Sequence, residues 1–481
     1  MFGGYLLTEH LFRDHAFDYL FWMLLAAMSA GSIVLHVRHW PRQCLPLVAL
    51  LGLFVVGYYV QFYWSALVPE TISVEIHWDT ERAARNQAVL LEVYRLLGLS
   101  FLAFAIAVPA ALFLFPPRCG DAPLPKTPPP HRERASLARV LLFVVPPGAV
   151  FTGLTMHVFG VSVAGRESVY LPFHLSGLLH YLHAFVLPAL LLTAIWLSEE
   201  AGAKSRGTLG RIAMIVHGAA TALLRASRGT LLSFITLLFI LDLTSRRLHA
   251  RRLLPVLGFV LISGLLWPFF TAYRVARADF PGEGVGFALS HGFDALGEGR
   301  EDTMSNTLLN GLENMIRRIG NIYSLMILVW VKPEPIGLHN VFLHGAEPTR
   351  VLTVEVLGFP RDAPHNSAAS LPGWFYLVGG EPLVILGMAL FVFSVWVAWA
   401  AIGRFRFTTL PVGQAMSLFW LAHVAPDGVL DRWILWPLTL FASVVIPELV
   451  LRTWLRGSPA RHRAQGAPWP GKLEEAPRSH G

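Results

Sequence analysis

Apolar residues occur in long uninterrupted stretches along this chain, and short polar connections separate most of them. A helix that crosses a lipid bilayer needs about 20 mostly apolar residues. Lipid offers the backbone no hydrogen-bond partner, so only helices and closed barrels cross it. The stretches are too long and too uniformly apolar for barrel strands. We count eleven of them, at residues 17–36, 45–67, 96–115, 138–160, 170–196, 208–223, 230–244, 253–272, 376–402, 409–425 and 433–452.

This pattern predicts an all-α polytopic integral membrane protein with about eleven transmembrane helices. Helices 1–8 are expected in residues 1–272, and helices 9–11 in residues 374–453. Residues 273–373 lie between these two blocks and form one large loop. The polar tail at 454–481 contains several glycines and prolines and is expected to be disordered.

The large loop carries a helical pattern of its own. Apolar residues recur there at the spacing of one helix face, which predicts an amphipathic helix. These residues are Leu308, Leu312, Met315, Ile316 and Ile319. The apolar run at 322–331 is too short to span a bilayer, so we expect it to be re-entrant or interfacial. An additional span that includes this run is the alternative.

The charge distribution predicts which side of the membrane each connection faces. The chain is 54% hydrophobic and only 14% charged, which excludes an ordinary soluble protein, and its formal net charge is +7. Lys and Arg gather in alternate connections, the pattern typical of cytoplasmic loops. They are Arg38, Arg42, Arg118, Lys126, Arg132, Arg134, Arg139, Lys204, Arg206, Arg211, Arg246, Arg247, Arg251, Arg252, Arg404, Arg406 and the tail from Arg452 onward. The N-terminus is therefore predicted outside and the C-terminus inside, and no nucleic-acid partner is expected.

Two arginines lie between the sixth and seventh stretches, on the predicted non-cytoplasmic side. They belong to the sequence Arg225-Ala226-Ser227-Arg228-Gly229. Their i,i+3 spacing places both guanidiniums on one helical face. Arginines at membrane depth are costly and mark functional sites, and phosphate or carboxylate matches a guanidinium pair. The alternative is that each side chain snorkels to lipid headgroups or pairs with a nearby acid.

Further arginines lie on the same predicted side. Arg274 and Arg277 repeat the i,i+3 spacing just after the eighth stretch, and Arg166 lies at the entrance to the fifth. The amphipathic helix of the loop adds Arg317 and Arg318. One outward-facing anionic ligand explains the whole set more simply than a separate structural role for each residue.

Histidines and acids give weaker indications of chemistry. His365 lies in the loop just before the ninth stretch, and His174, His180 and His183 crowd the fifth. Polar packing or cavity lining is favoured for these three over haem or metal binding. Any of several outer acids could act as a general base; they are Asp279, Glu283, Asp294, Glu298, Asp362, Glu381, Asp427 and Asp431. Neither a P-loop nor a dinucleotide-binding fingerprint is present.

Three stretches of the chain resemble bacterial O-antigen and exopolysaccharide repeat-unit polymerases of the Wzy type, which are related in architecture to O-antigen ligases. The first is RASRGT at 225–230, which opens a span. The second is Arg166 followed by PFHLSGLL at 172–179. The third is HNS at 365–367, which leads to PGWFYLVGG at 372–380. The number of spans and the one large outer loop extend the resemblance over nearly the whole chain.

The resemblance implies a GT-C-like helical fold in the bacterial inner membrane, with a periplasmic loop and a periplasmic active side. Such enzymes transfer a glycan from undecaprenyl diphosphate to the non-reducing end of another lipid-linked repeat unit. The diphosphate-binding residues would be Arg225, Arg228, Arg274, Arg277 and Arg166. His365 and Arg317 would serve near the acceptor or the reacting carbon. The donor is already activated, so no cofactor, metal or nucleotide is expected.

The partners implied are an undecaprenyl-diphosphate-linked oligosaccharide, membrane lipids and a protein that regulates chain length. Three other functions stay open. An O-antigen ligase would use the same donor but a lipid A core acceptor. A flippase for lipid-linked oligosaccharides would line its path with the arginines, although the chain has no internal repeat or matching pair of broken helices. A structural subunit of an export complex would need none of these arginines.

Overall fold

The computed structural model describes residues 24, 31, 44–63, 83, 85–116, 131–161, 175–225, 228–245, 258, 260–280, 283, 285–298, 308, 311, 322–361, 369–404, 407–427 and 435–457. Side chains are described in these segments except at 228–232, 278–279, 296–298 and 423–440. All but two residues of the first predicted span, 17–36, lie outside this set. So do the predicted tail beyond its first four residues and most of the predicted amphipathic helix.

The described residues form helices and no strand. In chain order the helices are α1 (Leu45–Tyr63), α2 (Gln87–Leu114), α3 (His131–Val158), α4 (Leu175–Glu200), α5 (Lys204–Leu224), α6 (Arg228–Thr244), α7 (Trp267–Asp279), α8 (Val285–Glu298), α9 (Ile322–Val331), α10 (Leu338–Leu343), α11 (Pro348–Val351), α12 (Leu371–Ile402), α13 (Leu410–Asp427) and α14 (Leu435–Gly457). Helix α4 contains a π-helical turn, Leu182–Val186.

Six of the described helices are long and apolar enough to cross a membrane, namely α1, α2, α3, α4, α5 and α12. Shorter apolar helical segments occur at Ser233–Thr244, Ile322–Val331 and Leu410–Ala422. The predicted class, a helical membrane protein, therefore agrees with the structure. Helix boundaries differ in places from the apolar stretches. Helix α2 begins at Gln87 rather than near residue 96, because the Asn86 side chain caps it there by accepting hydrogen bonds from the backbone N–H groups of Ala88 and Val89.

Helices α2 and α12 pack against each other at the centre of the bundle, and α1, α9 and α13 surround them. A second group consists of α3, α4 and α5, which pack side by side. Aromatic rings fill the space between α1 and α2. The Phe54 ring lies 4.9 Å from that of Phe104 and 6.2 Å from that of Phe101, both edge-on. Such aromatic pairs stabilise contacts beyond the area that they bury.

Helix α12 is broken near its first third. Gly379 and Gly380 have non-helical backbone angles, and Gly380 has φ +68° and ψ −163°, a region open almost only to glycine. The break leaves the carbonyls of Leu377 and Val378 without helical partners. The backbone N–H groups of Ile336 and Gly337 donate to them, at 3.0 and 2.9 Å. The chain segment after α9 therefore caps the broken helix.

The predicted outer loop, 273–373, is largely helical where it is described. Helix α7 runs across the predicted boundary at residue 272 and continues to Asp279. The apolar run at 322–331 forms helix α9, and residues Ile322 to Val329 are buried against α2, α12 and the turn after α11. This run therefore belongs to the helical core of the protein.

Helix ends next to the predicted cytoplasmic connections meet at one end of the bundle. Arg211 near the start of α5 binds Asp242 near the end of α6. The Trp196 indole donates to the Thr408 carbonyl at 3.3 Å. The backbone N–H of Thr409, just before α13, donates to the Glu448 carboxylate of α14 at 3.2 Å. The structure thus places these helix ends together, and the side of the membrane that they face stays a prediction.

Candidate anion-binding site

The C-terminal end of α5 is held by side chains from two other helices. The buried Tyr273 hydroxyl of α7 donates to the Leu223 carbonyl at 2.7 Å. The ring Nδ1 of His157, from α3, lies 3.1 Å from the Leu224 carbonyl and donates to it. The last carbonyls of a helix have no partner within the helix. These two contacts satisfy two of them and fix the position of Arg225, which follows directly.

Four of the predicted diphosphate-binding arginines lie on the segments that meet here. Arg225 is the residue after α5, and Arg228 is the first residue of α6. Arg274 and Arg277 lie on α7, one residue and one helical turn beyond Tyr273. The hydrogen bond from Tyr273 to α5 joins these segments. The side chain of Arg228 lies outside the described residues.

Arg277 is the most unusual of these side chains. It is only 4% exposed, and its Nη1 donates to the backbone carbonyl of Glu283 at 3.5 Å. Its Nε is buried without a hydrogen-bond partner, and no described carboxylate lies within ion-pair distance. A buried charge is costly unless it is paired and hydrogen-bonded. An anion bound at this position would supply the counter-charge.

Two arginines at the opposite end of the bundle lie close to carboxylates. Arg211 donates to both oxygens of Asp242, at 3.0 and 2.6 Å, and to Glu199 at 2.9 Å. Arg134 lies 3.7 Å from Glu200. Internal carboxylates therefore supply a counter-charge to both guanidiniums. The Nε of Arg134, like that of Arg277, is buried without a hydrogen-bond partner, so the difference between the two residues is the nearby carboxylate.

Three other residues predicted for the site cannot be placed relative to the arginines. Arg166, Arg317 and His365 lie outside the described residues. Their proposed roles as diphosphate ligand and as groups near the reacting carbon therefore stay predictions.

Among the candidate acids, Glu381 has a defined environment. It follows the break in α12, and Arg95 of α2 binds both Glu381 and Glu92, the latter at 2.9 Å. Arg95 was not singled out from the sequence, because it lies just before an apolar stretch and its partner Glu381 is distant in the chain. Helices α2 and α12 pack together, whereas α7 packs against α6 and α8. Glu381 is thus on a different helix pair from the arginines.

The fifth apolar stretch contributes one histidine, His183, to a buried polar cluster. His180 is half-buried, and His174 lies outside the described residues. The His183 ring lies 2.9 Å from the Thr152 hydroxyl of α3 and 2.9 Å from the Thr221 hydroxyl of α5. The ring of His217 packs edge-on against it at 4.7 Å. Within the described part of the chain, no three His, Cys, Asp or Glu side chains are arranged to hold a metal ion.

Comparison of the chain with protein-family models, with curated proteins and with solved structures gives no match. Function is therefore inferred from the chemistry of the residues themselves. The junction of α5, α6 and α7 is the candidate site, because it combines a fixed helix end, several arginines and one buried guanidinium without a described carboxylate partner.

Proposed function

We propose that the protein is a polymerase of lipid-linked oligosaccharide repeat units. It transfers the growing glycan from undecaprenyl diphosphate to the non-reducing end of another lipid-linked unit. About eleven spans, a GT-C-like arrangement and a periplasmic active side in the bacterial inner membrane belong to this proposal. The observation that carries it is Arg277, which is buried at the arginine junction and has no carboxylate partner among the described residues.

The chemistry of the transfer accounts for the arginines. An acceptor hydroxyl oxygen bonds to the anomeric carbon, the bond from that carbon to the diphosphate breaks, and the electron pair leaves with the diphosphate. The hydroxyl proton passes to a base or to solvent. Guanidiniums placed at the diphosphate stabilise the charge that develops on it. The donor is already activated, so the reaction needs neither metal nor nucleotide.

The roles of individual residues follow from this scheme. Arg225, Arg228, Arg274 and Arg277 would hold the diphosphate, with Arg166 as a further ligand. His365 and Arg317 would act near the acceptor hydroxyl or the reacting carbon. The partners are the lipid-linked oligosaccharide, membrane lipids and a chain-length regulator.

Pairing of the arginines supports an enzyme over a flippase. A flippase must offer its charged headgroup favourable contacts on both sides of the membrane. At the predicted cytoplasmic end, Arg211 is already bound by Asp242 and Glu199. Arg277, which is buried and has no carboxylate partner among the described residues, lies at the other end of the bundle.

The test compares surface glycans after replacement of the gene by variants in the bacterium that produces the protein. We expect Arg277→Gln to shorten the glycan to mainly single repeat units. Loss of one charge-assisted hydrogen bond, about 1.5–3 kcal/mol, corresponds to roughly a tenfold or greater loss of transfer rate. The matched control is Arg361→Gln, which removes an exposed arginine of the predicted outer loop and should leave chain length unchanged.

Other outcomes identify the alternatives. A gene deletion that leaves the lipid A core uncapped indicates a ligase. Accumulation of lipid-linked units on the cytoplasmic face indicates a flippase. Long glycan chains in the Arg277→Gln strain would remove Arg277 from the site and the main support from the proposal.

A further inference from the structure

An open cavity lies at the start of α2. Its volume is about 660 Å³, and its lining residues are Arg85, Asn86, Gln87, Ala88, Leu91 and Glu92. Pockets of about 300–1,000 Å³ are the usual size for small-molecule ligands. Four of the six lining side chains are polar, so a ligand in this cavity would be held mainly by hydrogen bonds.

Glu92 joins the cavity to a cluster of charged side chains between α2 and α12. The Arg95 Nη2 donates to the Oε1 atom of Glu92, at 2.9 Å, and to the Oε1 atom of Glu381. All three side chains are only partly buried. Glu381 is the first residue after the break in α12, so the cluster lies directly beside the break.

The two carboxylates keep acceptor atoms open to a ligand. Among the described residues, no group donates to the Oε2 atom of Glu92 or of Glu381. Neither oxygen is a buried atom that lacks a partner, so both are accessible from outside. The structural ion pair of Arg211 differs, because it uses both oxygens of Asp242. Hydroxyl groups of a ligand could donate to the two open oxygens.

The described charges of this site cancel. Glu92 and Glu381 carry two negative charges, and Arg85 and Arg95 carry two positive ones. The site therefore has no net charge to attract a diphosphate, whereas a ligand rich in hydroxyl groups suits it. A sugar hydroxyl both donates and accepts. The planar carboxylate, amide and guanidinium groups offer paired acceptors or donors that match neighbouring hydroxyls.

The site lies at the same end of the bundle as the arginine junction. The Trp396 indole of α12 donates to the Phe115 carbonyl after α2, at 3.0 Å, and Arg95 binds Glu381 near their starts, so the two helices run in the same direction. Beyond the end of α12, the Thr408 carbonyl accepts from the indole near the end of α4. Helix α5 starts from that end and reaches the arginine junction at its other end.

We propose that Glu92, Glu381 and the cavity beside them bind the sugar portion of the lipid-linked repeat unit. Arg95 holds both carboxylates in place. The diphosphate binds at the arginine junction, and the hydroxyl-rich sugars occupy a site without net charge at the same end of the bundle. This inference rests on the proposed function, which supplies the identity of the ligand.

The test measures binding of sugar fragments to the purified full-length protein in detergent. The probe is the mixture of oligosaccharides released by partial acid hydrolysis of the surface glycan of the producing bacterium, and calorimetry gives its affinity. We expect Glu92→Ala and Glu381→Ala each to weaken binding roughly tenfold or more, because a hydrogen bond to a charged group is lost. Both variants should still bind inorganic pyrophosphate, and Arg277→Gln should show the reverse pattern.

The matched control is Glu355→Ala, which removes an exposed carboxylate of the predicted outer loop and should bind the oligosaccharides as the wild type does. Oligosaccharide affinity that is unchanged in both Glu92→Ala and Glu381→Ala, or absent from the wild type, would overturn this inference and leave the proposed function standing. A wild type that binds oligosaccharides but not pyrophosphate would contradict the proposed function and keep the sugar site.

A second measurement needs no variant and so does not depend on how a variant folds. A water-soluble carbodiimide couples an amine to accessible carboxylates, and mass spectrometry gives the extent of labelling at each residue. Added oligosaccharide should protect Glu92 and Glu381 of the wild type and leave the labelling of Glu355 unchanged. Equal labelling of Glu92 and Glu381 with and without oligosaccharide overturns the proposal.

Discussion

Arg211 and Arg277 are two arginines with little solvent exposure and opposite surroundings. Arg211 makes a bidentate ion pair with Asp242 and donates a further hydrogen bond to Glu199. Among the described residues, Arg277 has one hydrogen bond, 3.5 Å long, to the Glu283 backbone carbonyl. A guanidinium surrounded by carboxylates is a structural crosslink, whereas one without them is available to an anionic ligand.

We expect Arg211→Gln to destabilise the protein by about 3–5 kcal/mol, because two largely buried carboxylates lose their counter-charge. Thermal unfolding of the purified protein in detergent measures the change. The control is Lys204→Gln, which removes an exposed positive charge from the first turn of the same helix and should change stability little. An unchanged unfolding temperature for Arg211→Gln would show that the ion-pair network does not support the fold.

Helices α12 and α4 depart from regular geometry where their sequences allow it. In α12, two successive glycines permit a break, and Pro382 has no N–H to donate to the Val378 carbonyl. The Gly337 N–H takes that place. In α4, the π-helical turn carries His183 between two threonines. The break in α12 frees the Val378 carbonyl to accept from the Gly337 N–H, and the π-helical turn of α4 places the His183 ring between the Thr152 and Thr221 hydroxyls.

The break in α12 makes Gly380 sensitive to substitution. We expect Gly380→Ala to destabilise the protein by about 1–3 kcal/mol, because a side chain strains this backbone conformation. The control is Gly52→Ala in α1, where an added Cβ meets nothing within 4 Å and where alanine favours the helix. Thermal unfolding in detergent again provides the measurement. Equal stability of the two variants would mean that α12 does not need this break.

At the scale of the whole molecule, the two ends of the bundle differ in how their arginines are neutralised. At the end next to the predicted basic connections, carboxylates pair Arg211 and Arg134. The other end has an ion pair too, Arg95 with Glu381, but it also carries the junction of α5, α6 and α7 with Arg277, which has no carboxylate partner among the described residues. The proposed transfer on one face of the membrane would use only the end with this junction.

Cysteine labelling tests whether the arginine junction of α5, α6 and α7 faces the periplasm. In a variant whose Cys44 and Cys119 are replaced by alanine, we expect Glu283→Cys to react with a membrane-impermeant maleimide in intact spheroplasts. Ser205→Cys should react only after the membrane is broken. Both positions are exposed, so accessibility to the reagent depends on the side of the membrane. The reverse pattern would place the arginine junction in the cytoplasm and contradict a periplasmic active site.

The sequence by itself determined the class of the protein and the approximate positions of its long apolar helices. Uninterrupted apolar stretches are local in the chain, and stretches too long for barrel strands form helices in lipid. The described parts of ten predicted stretches, from residue 45 onward, are accordingly helical apart from a few end residues and the break at Gly379 and Gly380. The i,i+3 spacing predicted a shared helix for Arg274 and Arg277, which both lie on α7. The same prediction was wrong for Arg225 and Arg228, because α5 ends before Arg225 and α6 begins at Arg228.

Tertiary structure decided which of these residues meet and which are neutralised. The contact of Tyr273 with Leu223, the pairing of Arg95 with Glu381 and the burial of α9 join segments that are far apart in the chain. The burial of Arg277 and the contacts of His183 with Thr152 and Thr221 likewise depend on neighbouring segments. The physical reason is that charge pairing and burial belong to packing between elements, which local sequence patterns do not specify.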